Sequence, residues 1–237
     1  MLNTLKKIAI FIFDLIDKFV HQRNILKCIK KEKLIINTFI DIGAHKGKYT
    51  DLFTNNFNIK NVYMFEPQLT LFKYIKKKYK SLKIIDIFNY GISNKNEKKI
   101  FNINKHDLTS SIKKLNPKNS YLNYKSKLFS TNLKGMIERK TIIKTIKLKS
   151  FFLRKNIKKV DLIKIDTEGH ELEVLLWLEK KIILVKAFLI EFHDNQTYLN
   201  YDNKKIEKIL KKNNFKLRKR VKFPFTTWED RLYVRKN

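Results

Sequence analysis

Two short stretches late in the chain concentrate the side chains that could move a proton. KIDTEGHE, residues 164–171, carries Asp166, Glu168, His170 and Glu171 around Gly169, and EFHD, residues 191–194, carries Glu191, His193 and Asp194. Carboxylates and an imidazole at this density suit deprotonation of a weak nucleophile such as a hydroxyl. An earlier stretch, FIDIGAHKGKYTDLF at residues 39–53, has a different character. It sets Asp41 ahead of Gly43 and Gly47, two of only five glycines in 237 residues. Glycines there let the backbone turn tightly and approach a ligand, and the helix that follows offers unpaired amide groups. Glu66, in VYMFEP, stands 25 residues after Asp41. That is where a nucleotide-binding α/β domain places the acid that holds ribose hydroxyls.

The identity of the ligand follows from what is absent as well. The glycines read G-x-x-x-G rather than G-x-G-x-x-G, and there is no G-x-x-x-x-G-K-[ST] phosphate loop. A carboxylate at Glu66 repels a 2′-phosphate, while Asp41 can meet an ammonium group directly or through water. The combination suits S-adenosylmethionine better than NAD or ATP.

The elements that must position these groups alternate from residue 35 onward, as in a mostly parallel sheet with helices on both faces. Strands are expected at Ile35–Ile40, Asn61–Phe65, Ile84–Phe88, Val160–Ile165 and Lys186–Phe192. Helices fall between them, one with Tyr49, Leu52, Phe53 and Phe57 on one face, another with Leu71, Phe72, Ile75 and Tyr79. Glu171–Lys180 reads as a buried helix and Asn203–Asn213 as a lysine-rich one. Strands around Phe215–Val221 and Arg231–Arg235 have no helix between them and should form an antiparallel hairpin. Lys99–Ile103 and Ile142–Leu148 could pair with each other. The polar segment between them, residues 104–140, contains Pro117 and Gly135 and suits a lid or substrate-binding insertion. In such a sheet ligands bind beyond the carboxyl ends of the strands. Gly43, Gly47, Gly91 and Gly169 all follow strands at that edge.

Composition sets outer bounds. Hydrophobic residues at 43% and aromatics at 13% support a folded core. The formal net charge of +31 invites a polyanion partner, but the excess is almost all lysine spread along the chain. It accompanies abundant Ile, Asn, Phe and Tyr, a pattern of compositional bias, so no specific nucleic-acid partner is expected. A single cysteine, Cys28, excludes an internal disulfide and a multi-cysteine metal site, and a reducing, cytoplasmic setting is the default. Residues 1–33 form an amphipathic helical extension before a domain at 34–237. Ile8, Phe11, Ile12, Leu15, Ile16, Phe19 and Val20 make its apolar stripe, which Asp14 and Asp17 cut too short to span a bilayer. The stripe should pack on the domain or a partner subunit; peripheral contact with an anionic membrane is the sharper alternative.

FIDIGAHKGKYT, VYMFEP, NYGIS, Ser110-Ser111, and above all LIKIDTEGHELEVL followed by LIEFH together resemble the FkbM family of S-adenosylmethionine-dependent methyltransferases. The resemblance covers residues 38–193 and keeps the order and spacing of the blocks. His45 and Lys46 stand where relatives often carry Asn and a small or apolar residue, and Gly91 replaces a frequent Ala. The resemblance implies a Rossmann-like, seven-stranded class I methyltransferase sheet with an antiparallel final pair. It also implies methyl transfer to oxygen, typically on a sugar, glycan or secondary metabolite. Carried over, Asp41, Gly43, Ala44, His45 and Gly47 would line the methionine end. Glu66 with Pro67 would sit at the ribose, Asn89, Gly91 and Ile92 at the adenine, and Asp166 would face the sulfonium and the acceptor.

The catalytic set is then Asp166, Glu168, Glu191 and His193. His193 or Asp166 takes the proton, and Glu168 and Glu191 orient acceptor or base. Glu171 has the duller role of favouring a helix start, and His170 decorates it. Asp166, Glu168 and Glu191 could alternatively hold a divalent metal, but nothing in their spacing demands one, so none is expected. Two rivals remain. An RNA ribose methyltransferase would need a lysine such as Lys46, Lys164 or Lys186 beside the acid, and a basic binding protein on the same fold would need no chemistry.

Overall fold

The computed structural model describes residues 11–104, 110–119, 122–123, 137–224 and 226–236. Residues 1–10, with Ile8, and most of the expected insertion, with Gly135, lie outside the described residues. The chain enters as a helix over 11–16, passes through a π-helical stretch at Asp17–His21, and continues as α1 (Gln22–Lys31). Then follow β1 (Thr38–Ile42), α2 (Lys48–Thr54), β2 (Asn61–Phe65), α3 (Leu69–Lys78) and β3 (Ile85–Phe88). A middle portion holds β4 (Gly91–Ile92), β5 (Glu97–Asn104), β6 (Ile137–Ile146) and α4 (Leu148–Arg154). The last portion holds β7 (Val160–Ile165), α5 (Glu171–Leu176), β8 (Val185–Phe192), α6 (Asn203–Lys212), β9 (Phe215–Lys222) and β10 (Glu229–Arg235).

Seven strands form one sheet in the order β3-β2-β1-β7-β8-β10-β9. β1 pairs in parallel with both β2 and β7, and β10 runs antiparallel between β8 and β9. The expected hairpin is therefore present. The strand order reverses between β1 and β7, which opens the crevice where such sheets bind ligands. β5 and β6 do pair, antiparallel, and with β4 they make a separate three-stranded sheet. β1 starts three residues later than expected: Ile35 is exposed, and the buried Leu34 and Ile36 pack as an irregular lead-in. The helix expected to reach Lys180 stops at Leu176 and is followed by a 3-10 turn, Glu179–Leu184, that feeds β8.

Strand side chains alternate between faces, and here the alternation sorts both core and chemistry. Ile40, Ile42, Ile163, Ile165, Phe188 and Ile190 share one core with α4, α5 and α6. Phe39, Leu162, Leu189 and Leu232 belong to the other, which also takes Phe53, Ile75, Ile25 and Ile29 from α2, α3 and α1. The two-residue period puts Asp41, Lys164, Glu191 and Asp230 on this second face. Register completes the grouping, since Asp41 pairs with Lys164 and Glu191 with Asp230.

The N-terminal helix packs onto the domain. Ile25 and Ile29 are fully buried under it, and Arg218 of β9 pairs with Glu32 at 3.1 Å. Its outer side leaves Phe11, Ile12, Leu15, Phe19 and Val20 exposed. No helix among the described residues is long and apolar enough to cross a membrane. Truncating Ile29 to Ala should cost about 2–4 kcal/mol of unfolding free energy in a urea titration, as for other buried aliphatics. The exposed Leu15→Ala change should cost less than about 0.5 kcal/mol.

Candidate functional site

The loop after β1 is shaped by contact with its own neighbours. Gly43 has φ +81°, and a Cβ there would lie 1.7 Å from the Asp166 carbonyl oxygen. Gly47, at φ +77°, would place a Cβ 2.2 Å from the Tyr79 hydroxyl. The glycines thus admit a neighbouring backbone and a tyrosine ring, where the sequence suggested direct room for a ligand. The Ile42 carbonyl accepts from Asp166 N–H at 3.0 Å, and the Phe65 carbonyl accepts from Gly43 and Ala44 N–H, each at 3.0 Å. Loops after β1, β2 and β7 are locked together in this way.

Glu66 closes the same loop from the far side. Its carboxylate accepts from the backbone amides of His45 and Gln68, each at 2.8 Å. Burial pushes its pKa up to about 7 against those two bonds. Asp41, also buried and raised by that burial to about 6, accepts from the Thr50 hydroxyl at 2.7 Å.

Around Asp166 the charges are dense. Lys164 is fully buried, its Nζ 3.0 Å from Asp230 and 3.3 Å from Asp166, and 4.6 Å above the Tyr49 ring. Burial works against its charge, but Asp166 and Asp230 hold its pKa well above the usual lysine range. Asp230 also accepts from Tyr49, and His21 Nε2 lies 2.8 Å away. Burial works against this carboxylate, yet Lys164 and His21 keep it ionised far below its ordinary range. Asp166 and Glu168 are shifted the other way, first by burial and then by the Glu191 charge. Glu191 is raised to about 7, chiefly by burial. Glu168 accepts from the Tyr198 hydroxyl, and its backbone sits in the left-handed region at φ 53°. Burial lowers the His193 pKa.

A cavity of about 740 Å³ opens beside these groups, with Lys164, Asp230 and His21 behind its wall. Its walls include all four catalytic candidates, Asp166, Glu168, Glu191 and His193. They also include Asp41, Gly43, Ala44, His45, Glu66, Pro67, Gly91 and Ile92 from the expected cofactor set. Gly47 and Asn89 are not in the wall. Gly47 is covered by Tyr79, and Asn89 turns back to donate to the carbonyls of Glu66 at 2.9 Å and Pro67 at 3.0 Å, so both shape the loop from behind. His170, expected to decorate a helix start, is buried instead, with Nε2 3.0 Å from Ser93 Oγ, and burial lowers its pKa to about 4. Glu171 keeps its structural role, accepting from Thr167 and Gly169 amides at 3.0 and 3.1 Å.

Three contributions escaped the sequence reading. Phe13, Asp14 and Asp17 of the N-terminal helix form part of the wall, with Lys48 Nζ 2.7 Å from Asp14 and 3.4 Å from Asp17. Phe223 and Trp228 line it from the far end of the chain, their rings stacked at 4.6 Å. Asp230 is the third, holding Lys164 behind Asp166 and outside the wall. The KID motif signalled Lys164, but only the β8–β10 pairing reveals its partner. Ser110, Ile112, Leu115 and Leu122 cover the cavity from the described part of the expected insertion.

The strand order, the switch between β1 and β7, and an acid-lined crevice beyond the strand ends define a class I methyltransferase fold. The chain belongs to the FkbM methyltransferase family: the Methyltransferase FkbM domain matches residues 41–217. No curated protein sequence matches it. Among solved structures it is similar to methyltransferase FkbM from Methylobacillus flagellatus KT, with a TM-score of 0.54 and 13% identity. That alignment covers 84% of this chain but only 43% of the other, so the chain spans less than half of that protein. An S-adenosylmethionine-dependent methyltransferase from Clostridium acetobutylicum ATCC 824 aligns with a TM-score of 0.50 and 13% identity over 99% of this chain and 100% of that one. Magnesium protoporphyrin IX methyltransferase from Synechocystis PCC 6803, with bound SAM, gives 0.50 and 12% over 98% and 83%.

The residues present fit the cofactor of that family. Glu66 spends one acceptor position of each oxygen on a backbone amide, and a carboxylate has about four such positions, leaving capacity for ribose hydroxyls. Replacing Glu66 with Ala should weaken S-adenosylhomocysteine binding about tenfold to a hundredfold, the range for losing charge-assisted hydrogen bonds. Isothermal titration calorimetry reads this directly.

Proposed function

We propose that the protein transfers a methyl group from S-adenosylmethionine to a hydroxyl oxygen of a sugar, glycan or related polyhydroxylated acceptor. The observation that carries this reading is the arrangement of one cavity. Gly43, Ala44, Glu66 and Ile92 line one part of it, and Asp166, Glu168, Glu191 and His193 line another. When bound, S-adenosylmethionine supplies an electrophilic methyl carbon.

The chain's own residues then have three tasks. Asp41, Ala44, His45 and Glu66 hold the cofactor at the loops after β1 and β2. Glu191 and Glu168 orient the acceptor. Asp166, fixed by Lys164 behind it, accepts the hydroxyl proton as the oxygen becomes nucleophilic, with His193 beside it at the same strand ends. The stacked Phe223 and Trp228 favour a carbohydrate, whose apolar ring faces pack on aromatic surfaces. The expected RNA alternative gains a lysine beside the acid, since Lys164 is 3.3 Å from Asp166. That lysine is buried and held by Asp230, so it positions Asp166 and has no path to an acceptor.

Incubation with S-adenosylmethionine and a panel of hydroxylated acceptors should release S-adenosylhomocysteine with at least one of them. Asp166→Asn should lower kcat at least about a hundredfold, the contribution typical of a positioned proton acceptor. Absence of any heat on titrating S-adenosylhomocysteine into the wild-type protein would refute the reading.

A further inference from the structure

We propose that Glu168, Glu191 and His193 form a binding site for one divalent first-row transition-metal ion. Geometry brings the site together. His193 Nε2 lies 3.3 Å from Glu191 Oε2 and 3.8 Å from Glu168 Oε2, and the three donor atoms all fall within 4.8 Å of one another. Ligand atoms about 2.1 Å from one ion stand roughly 3 to 4 Å apart, which matches the shorter of these separations.

A second observation points to a cation. Glu191 and His193 are each only 7% exposed, yet Glu191 Oε2 and His193 Nε2 make no hydrogen bond. Buried polar atoms without a hydrogen bond are rare and call for an explanation. The two atoms approach each other to 3.3 Å without forming one, and both residues belong to the cavity wall. The donors are also held in place. The His193 ring lies edge-on to Tyr198 and Tyr201, with centroids 5.1 and 5.7 Å away, and Asn203 fixes its backbone carbonyl at 2.8 Å. Glu168 keeps its strained backbone, and Tyr198 donates to its carboxylate.

The density of donors favours the same conclusion. Asp166, Glu168, Glu191 and Glu171 crowd this edge, and the buried ammonium beside them, Lys164, is already shared between Asp166 and Asp230. Two carboxylate oxygens and an imidazole suit Mn²⁺, Fe²⁺, Co²⁺ or Zn²⁺ better than Mg²⁺ or Ca²⁺, which prefer oxygen alone. The sequence placed Glu168, Glu191 and His193 at one edge and offered a metal on Asp166, Glu168 and Glu191; the pairing of β7 with β8 brings His193 into the set. The site's role rests on the methyl-transfer reading: an ion there would take an acceptor oxygen as a further ligand and lower the pKa of its hydroxyl. The site itself does not depend on that reading.

The test uses chelator-stripped, full-length protein titrated with Co²⁺, followed by visible absorption and calorimetry. The net charge of +31 disfavours scattered cation binding, so stoichiometry is readable. The expected result is one Co²⁺ per chain with a d–d absorption band, and at least about tenfold weaker binding in Glu191→Gln. His193→Ala serves as the second variant if Glu191→Gln does not fold. Failure of the wild-type protein to take up Co²⁺ at millimolar concentration, or equal affinity in a folded variant, overturns the inference. The same preparation titrated with S-adenosylhomocysteine keeps the two readings apart. Cofactor binding without Co²⁺ removes only the metal site, whereas Co²⁺ binding without cofactor removes only the methyl-transfer reading.

Discussion

A single buried ammonium organises the carboxyl-terminal edge of the sheet. Lys164 has no contact with water, so its charge must be met by protein, and Asp166 and Asp230 meet it. Removing either partner from such a set strands the other charge in a poor dielectric. The consequence reaches far along the chain. Asp230 is on β10, Asp166 follows β7, Tyr49 is in α2, and His21 arrives from the N-terminal helix. Four segments remote in sequence are fixed to one point, and the proton-accepting candidate is one of the fixed groups.

Glycine contributes to the same precision by a different route. At Gly43 the β1 loop lies against the Asp166 carbonyl with no space for a methyl group. The loop after β1, proposed to hold the cofactor, and the loop that carries Asp166 therefore share one contact surface. A shift in either is felt by both, which suits a reaction in which two molecules must be held in line.

Much of this was legible in the sequence because it is local. Parallel strands buried on both faces read as apolar runs, and β2 and β7 begin and end where those runs do. The acids at strand ends followed from the same reading, since an α/β sheet directs its ligands to that edge. The parts that escaped depend on non-local pairing. The Asp230–Lys164 contact requires β10 to insert beside β8, and His21 requires the first helix to lie over that pair. Three residues sit where local rules did not place them. Gly47 and Asn89 support the loop from behind, and His170, polar at a helix start, is held inside by Ser93. In each case type and position in the chain were read correctly, and the direction of the side chain was set by packing.

The first helix and the last strand meet at Asp230, and that meeting has a consequence for the order of folding. His21 and Asp230 are 209 residues apart, so their contact closes a very long loop. Until it closes, Asp230 lacks its His21 partner, and the wall between Phe13 and Trp228 has only one side. Contacts of such separation carry a loop-closure cost that local ones do not, so the compartment is completed after the strands that floor it have paired.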